Sequence, residues 1–314
     1  MRRFIPTILL VVICIGAFWY ASSKDFFREK KDEPTALLTL KQEDVQSLSL
    51  QGADQPVELS RGSSGTGWDM KQPAAAPVNA NLVNNWLDAL GLVNQEKVVD
   101  PQASDLAKYG LDKPAQTYAV TMKDGSRKAL KVGAPLPIQG YSYAMVDGSP
   151  AVYQVSEQSL ATLMKTPVDF AQTSPVAFDN DKVQSVKVTW KGQTWTLSKT
   201  DKDKVTADAN WKLGDKDLKG SEASPLLDQL TFLHTAQLPQ PSAQQPVTGG
   251  ELKIELGLST DGKDTTEIYE GKLSEGKVWL AKQGGDWVYA LTADDVQKMA
   301  DTFAGKPEQP QPAS

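Results

Sequence analysis

Thiols and imidazoles are almost absent from this chain: its 314 residues include one cysteine and one histidine. A single cysteine excludes an intramolecular disulfide and any metal site built on several thiolates. A single histidine leaves the usual zinc constellations and a Ser-His-Asp site with very little to draw on. Cys14 lies in an apolar N-terminal run after Val11-Val12-Ile13, whereas a lipobox needs a small residue directly before the cysteine, so it reads as a structural residue of that run. His234 follows Leu233 at the end of a helix pattern, where an imidazole interacts favourably with the C-terminal helix dipole. Long blocks of one charge sign are missing too. The net charge of -6 arises from 39 acidic and 33 basic residues spread along the chain, which argues against nucleic acid because a backbone binder needs a clustered basic face.

Met1-Arg2-Arg3 precedes an uncharged run from Phe4 to Ala21, near the ~17-residue lower limit for spanning a bilayer. The paired arginines favour a cytoplasmic N-terminus. The sequence therefore predicts a single-pass cell-membrane protein with the bulk of the chain outside the cytoplasm. A cleaved signal peptide is the competing reading, since Ala21-Ser22-Ser23 supplies small residues for a cut. The run exceeds a typical apolar region of about 7–15 residues, which favours an uncleaved anchor. The expected layout is an anchor over 1–23, a juxtamembrane stalk over 24–36, α+β repeats over 37–170 and 171–304, and a disordered Pro-rich tail over 305–314.

Val45-Gln46-Ser47-Leu48-Ser49-Leu50 returns as Val183-Gln184-Ser185-Val186-Lys187-Val188. The residues after each copy match in order: a Trp (Trp68, Trp211), an apolar helix pattern (Leu82 to Leu90, Leu226 to Leu233), then Val152-Tyr153 and Val288-Tyr289, each running into a second helix. An offset near ~140 residues is a domain duplication and not a solenoid period, and 314 residues suit about two domains of ~150 each.

In the first copy, Leu37 to Leu40, Val45 to Leu50 and Val57 to Ser60 read as short strands. Arg61-Gly62-Ser63-Ser64-Gly65-Thr66-Gly67 lacks the Gly-Lys-Ser/Thr ending of a phosphate loop and reads as a hairpin turn before Trp68. Leu82, Val83, Trp86, Leu87 and Leu90 form one helix face, with Gly91 as its stop. Asp105 to Pro114 is a short helical turn closing on Gly110. Turns at Asp124-Gly125 and Asp147-Gly148 then join alternating strands into an antiparallel meander, and Ser156 caps a helix carrying Leu160, Leu163 and Met164.

Trp68 with nearby Pro73, the Leu82–Leu90 helix, Tyr109-Gly110-Leu111 with Pro114, Gly133, Tyr143 and Val152-Tyr153 occur in an order that resembles the bacterial domain of unknown function DUF4340. The resemblance covers about Leu38 to Phe303 and implies two tandem copies. In that family, anchored proteins are often encoded beside ABC-type transporters related to the gliding-motility export system, so the resemblance implies an accessory role with a transporter permease or another envelope protein as partner. It carries over no catalytic residue, metal ligand or cofactor. The second copy has Gln240-Pro241-Ser242-Ala243-Gln244-Gln245-Pro246 where the first has Tyr109-Gly110-Leu111, so this unduplicated element is the candidate interaction surface. A helix terminus that merely joins two layers is the alternative.

In the second copy, Asp201, Asp203 and Asp208 invite a calcium reading. The loop glycine and terminal Glu of an EF-hand are missing at their spacing, which favours a charged hairpin tip. Ser224-Pro225 reads as a helix start, and Thr292-Ala293-Asp294-Asp295 as a capped start to a last helix with Val296, Met299 and Phe303 inward. The expected fold is α+β: two duplicated antiparallel sheets, each strands-helix-meander-helix, behind one transmembrane helix. The expected function is a membrane-anchored, non-enzymatic accessory or scaffold subunit of an export or envelope complex. Two alternatives stand beside it: an envelope glycan-binding module using exposed tryptophans, and a carboxylate-based hydrolase.

Overall fold

Val45, Leu48 and Leu50 are all buried, although side chains three apart on a regular strand point to opposite faces. A β-bulge resolves the parity. Val45 pairs with Met122 and Ser47 with Thr121, so Gln46 is the extra residue and the inward register recovers. Val183, Val186 and Val188 repeat the device, with Val183 opposite Leu258 and Ser185 opposite Gly257. The repeated Val-Gln-Ser motif is thus a bulged strand at the same place in two sheets.

In the computed structural model, residues 35–52, 55–62, 67–245 and 247–306 are described. The first unit runs through β1 (Thr35–Ala36), β2 (Val45–Gln51), β3 (Val57–Arg61), β4 (Trp68–Gln72) and helix α1 (Ala80–Gly91). It continues with β5 (Asn94–Gln95), β6 (Lys97–Asp100), β7 (Gln116–Met122), β8 (Arg127–Pro135), β9 (Tyr141–Val146), β10 (Val152–Ser156) and helix α2 (Glu157–Leu163). The second unit comprises β11 (Val183–Trp190), β12 (Gln193–Lys199), β13 (Asn210–Leu213), β14 (Lys216–Lys219) and helix α3 (Gly220–Thr231). It is completed by β15 (Gln240–Pro241), β16 (Leu252–Thr260), β17 (Lys263–Ser274), β18 (Lys277–Lys282), β19 (Trp287–Thr292) and helix α4 (Ala293–Phe303).

The first sheet has the order β4-β3-β2-β7-β8-β9-β10-β6 and the second β14-β13-β12-β11-β16-β17-β18-β19-β15. Apart from the added β14, the two orders are the same when β2 is laid on β11. The α+β class with duplicated antiparallel sheets is therefore observed. In each unit two helices cover the inner face of the sheet. Val83, Trp86, Leu87, Leu90, Leu160 and Leu163 join Leu48, Leu50, Tyr118 and Leu130 in one core. Leu226, Leu227, Leu230, Val296, Met299 and Phe303 join Val186, Trp211, Ile254 and Leu280 in the other. A cation closes the same corner of each core. Arg61 lies 4.3 Å over the Trp68 ring and donates from Nη2 to the Gln42 carbonyl at 3.1 Å. Lys199 stands 5.6 Å from the Trp211 ring and donates to the Asp181 carbonyl at 3.1 Å.

Several expectations need correction. Among the described residues no helix is long and apolar enough to cross a membrane. The stretch assigned to the anchor, 1–23, and most of the stalk lie outside the described residues. The transmembrane helix, and with it the membrane-anchored function and the single-pass cell-membrane localisation, are therefore withdrawn. Residues 307–314, most of the expected tail, also lie outside the described set. Leu37 to Leu40 is not a strand: beyond β1 the chain leaves the ladder, and Leu38 is held by burial in the core. Leu82 is 39% exposed while the rest of its expected face is buried, because α1 turns Val83 and not Leu82 to the sheet. Helix α3 begins at Gly220, not Ser224, and contains Pro225 in its second turn. Its start is set by Glu222, whose carboxylate accepts the Lys219 N–H at 2.9 Å, and by Gly220, where a Cβ would collide with the Thr206 and Ala207 carbonyls.

Candidate functional site

The two units differ most at one end of the inner face. On β2 the last inward side chain is Leu50, opposite Tyr118. By strand alternation the next inward position would be Gly52, but the chain has already turned there: φ is +95° and a Cβ would drive into the Ala115 carbonyl, so only glycine fits and no side chain reaches the inner face. Helix α2 stops after 7 residues. Met164 leaves the helix with extended ψ, and Pro167 cannot continue it. The turn beyond it is locked by Asp169, whose carboxylate accepts from the Thr166 N–H and hydroxyl, each at 2.7 Å.

A missing side chain on the sheet and a shortened helix leave an open cleft of about 580 Å³. Leu50 and Tyr118, buried in the core, form its floor, and Met164 and Pro167 form an apolar wall. Met164 is 58% exposed although it is apolar. Gln51, Gln55 and Gln116 also line the cleft, and Lys165 is the charged residue of the lining. The Tyr118 hydroxyl donates to Gln116 Oε1 at 2.7 Å, and burial pushes its phenol pKa up to about 12. At neutral pH it is a proton-bearing donor and not a base. Trp86 meets the Tyr118 ring edge-on at 6.2 Å, so the floor is backed by a second aromatic.

In the second unit this position is filled. Counting from the two bulges, Gly52 corresponds to Trp190, which is 2% exposed and pairs with Leu252. The indole Nε1 donates to Gln297 Oε1 at 2.8 Å, and the Lys191 ammonium lies 4.9 Å from the ring. Helix α4 runs for 11 residues, long enough to carry Gln297 and the buried Met299, Ala300 and Phe303. Gly52 and Lys165 were not singled out in the sequence. Aligning the copies past Leu50 would have set a glycine against a tryptophan, and that mismatch is the signal.

The unduplicated element packs on the opposite face of the first sheet. Tyr109 and Leu111 are 5% and 3% exposed and form a small core with Met145 and Val152, bordered by Ala103, Leu106 and Tyr143. Gly110 takes the left-handed conformation at φ +66°, where a Cβ would also lie 2.9 Å from the Ala134 nitrogen. Gly133 is bare because a Cβ there would enter the Tyr109 carbonyl. In the second sheet the strand position of Gly133 is held by Lys272, and no such turn docks there. The Tyr109 hydroxyl donates to Asp100 at 2.9 Å, and this carboxylate, with burial, holds the phenol pKa up. Tyr109, Gly110 and Leu111 thus lie together as a plug joining two layers, with their apolar side chains turned inward.

Other candidates are dispersed. Asp201 is engaged by Lys204 at 3.0 Å and by Asn210, while Asp203 and Asp208 are exposed. Among the described residues no three His, Cys, Asp or Glu side chains are grouped to hold a metal ion. His234 is exposed beyond the end of α3, with Nδ1 2.8 Å from the Phe232 carbonyl. Trp68, Trp86, Trp190 and Trp211 are buried, and Trp195, Trp279 and Trp287 are partly so, which leaves no fully exposed tryptophan among the described residues. The carboxylates with displaced titration, Asp124, Asp201, Glu251, Glu255, Glu267 and Asp301, all move down, whereas a glycosidase acid needs a raised value.

These features define a class: a duplicated antiparallel α+β protein with a ligand-sized cleft, open in the first unit and filled in the second. The chain belongs to the family described as Domain of unknown function (DUF4340), whose model matches residues 68–249, more than half of the chain. The match is a single stretch running from β4 into the loop after β15. It does not show two tandem copies of the family domain or a transporter gene neighbourhood. Comparison with curated proteins and with solved structures gives no match.

Proposed function

We propose that this protein is a non-enzymatic binding module whose ligand site is the cleft of the first unit, and that the second unit is a duplicated copy retained as scaffold. One observation carries the reading: the same fold is built twice, and the site filled by Trp190 in one copy is left open by Gly52 and a short α2 in the other. A core position does not stay empty without cost, because unfilled apolar space forfeits packing. A thermal-shift screen of a small-molecule library tests it. Ligands should raise the melting temperature of the native chain and leave Met164→Trp, which fills the cleft from an exposed position, unmoved. A library in which no compound separates the two proteins would count against the cleft.

A second reading is favoured by two exposed apolar residues. Leu92 and Phe232, 72% and 66% exposed, occupy the same helix-terminal position after α1 and α3. Side chains of this kind suit contact with a protein, and the family resemblance suggests an ABC-type transporter subunit or another envelope protein as the partner. Crosslinking in the native cell followed by mass spectrometry would test this, and recovery of the chain alone would sink it.

A further inference from the structure

The cleft carries information about the chemistry of its ligand, on the reading that it is the binding site. The second unit offers an internal template: there the same place holds an indole, packed on the core and hydrogen-bonded to a glutamine amide. In the first unit the floor keeps its apolar and aromatic character through Leu50 and Tyr118. Glutamines are again among the lining residues: Gln51, Gln55 and Gln116.

Charge supplies the second constraint. Lys165 is half-buried at the cleft and makes no ion pair among the described residues. The carboxylate closest to it along the chain, Asp169, is occupied by the two bonds from Thr166. A lysine in a cleft with an apolar floor, whose other polar lining residues are neutral, favours an anionic group on the ligand. The volume of about 580 Å³ falls within the range of about 300–1,000 Å³ for small-molecule sites and leaves room for more than one indole ring.

We propose that the cleft binds a small planar aromatic acid, with an indole-sized ring on Leu50 and Tyr118 and its carboxylate at Lys165. The ring takes the place that Trp190 takes in the second unit. The lining glutamines serve a ring N–H as Gln297 serves the indole there.

Calorimetric titration of the full chain tests this with three probes: indole-3-acetate, the neutral indole-3-acetamide, and octanoate as an aliphatic acid. Indole-3-acetate should bind saturably with one site. Lys165→Gln should weaken it by about fivefold, as expected for a partly exposed charge pair, and leave indole-3-acetamide unchanged. Met164→Trp should abolish binding of both, with a melting temperature no lower than that of the native chain showing that this variant is folded. Equal weakening of acid and amide by Lys165→Gln would overturn the role of the charge. Saturable binding of octanoate, blocked by Met164→Trp and without binding of indole-3-acetate, would overturn the aromatic assignment while leaving the cleft as a ligand site. Binding of no probe would overturn the aromatic acid, and the library screen then decides the cleft separately.

Discussion

Trp190→Ala should turn the second unit into a copy of the first. The side chain is 2% exposed. A buried aromatic removes about 150–250 Å² from water, worth about 4–6 kcal/mol at roughly 25 cal/mol per Å². The bond to Gln297 adds about 1 kcal/mol. Against this, Lys191 and the exposed end of the sheet let water into the space, so the amide of Gln297 is not stranded. We expect a loss of about 4 kcal/mol, inside the range of about 3–5 kcal/mol found for truncating a buried tryptophan. Urea unfolding followed by circular dichroism should show this as a lowered midpoint for one transition. Indole added at about 100 times its dissociation constant should restore about 2.7 kcal/mol. A loss below about 1 kcal/mol, or a full loss that indole does not reduce, would refute the equivalence of the two sites.

Gly133→Val should cost about 2–3 kcal/mol through overpacking against the Tyr109 carbonyl, whereas Tyr109→Phe, which loses only its bond to Asp100, should cost less; calorimetric melting of the two variants checks the order. Glu267 is pushed up by burial but pulled further down by hydrogen bonds from Lys282 and Tyr269, so its pKa lies below the ordinary 4.5. Its contribution is therefore present above 4.5 and lost as pH falls through the lower folded value, and Glu267→Gln should flatten this part of the acid stability profile. Tyr118 has the opposite sign: with the folded pKa raised by burial to about 12, its contribution is intact below the ordinary value of 10.0 and is lost as pH rises from there towards 12. Tyr118→Phe should remove that alkaline decline, as read by unfolding midpoints across the interval.

Much of the architecture was legible in the residue order. The duplication, the Asp-Gly hairpins and the inward faces Val296, Met299 and Phe303 follow from period and turn chemistry, which act over a few residues. The limits of local reading appear where a distant backbone decides. Helix α3 could not be placed from Ser224-Pro225 because its first residue is dictated by the approach of the Thr206–Ala207 backbone to Gly220. Met164 carries the apolar signature of a core residue yet lies outside, since α2 is ended by the Asp169 lock a few residues beyond the helix.

The candidate site divides the same way. The amino-acid order alone determined that two like units exist, that Tyr109-Gly110-Leu111 occurs once, and that an intramolecular disulfide and metal sites built on several thiolates or several histidines are excluded. Only the tertiary structure decided that this element faces inward against Gly133, and that the cleft lies at the other face, where Gly52 leaves the room Trp190 fills. The physical reason is that a void has no residue of its own. It exists only as the space between strand and helix ends, and the sequence records it solely as a glycine and a helix one turn too short.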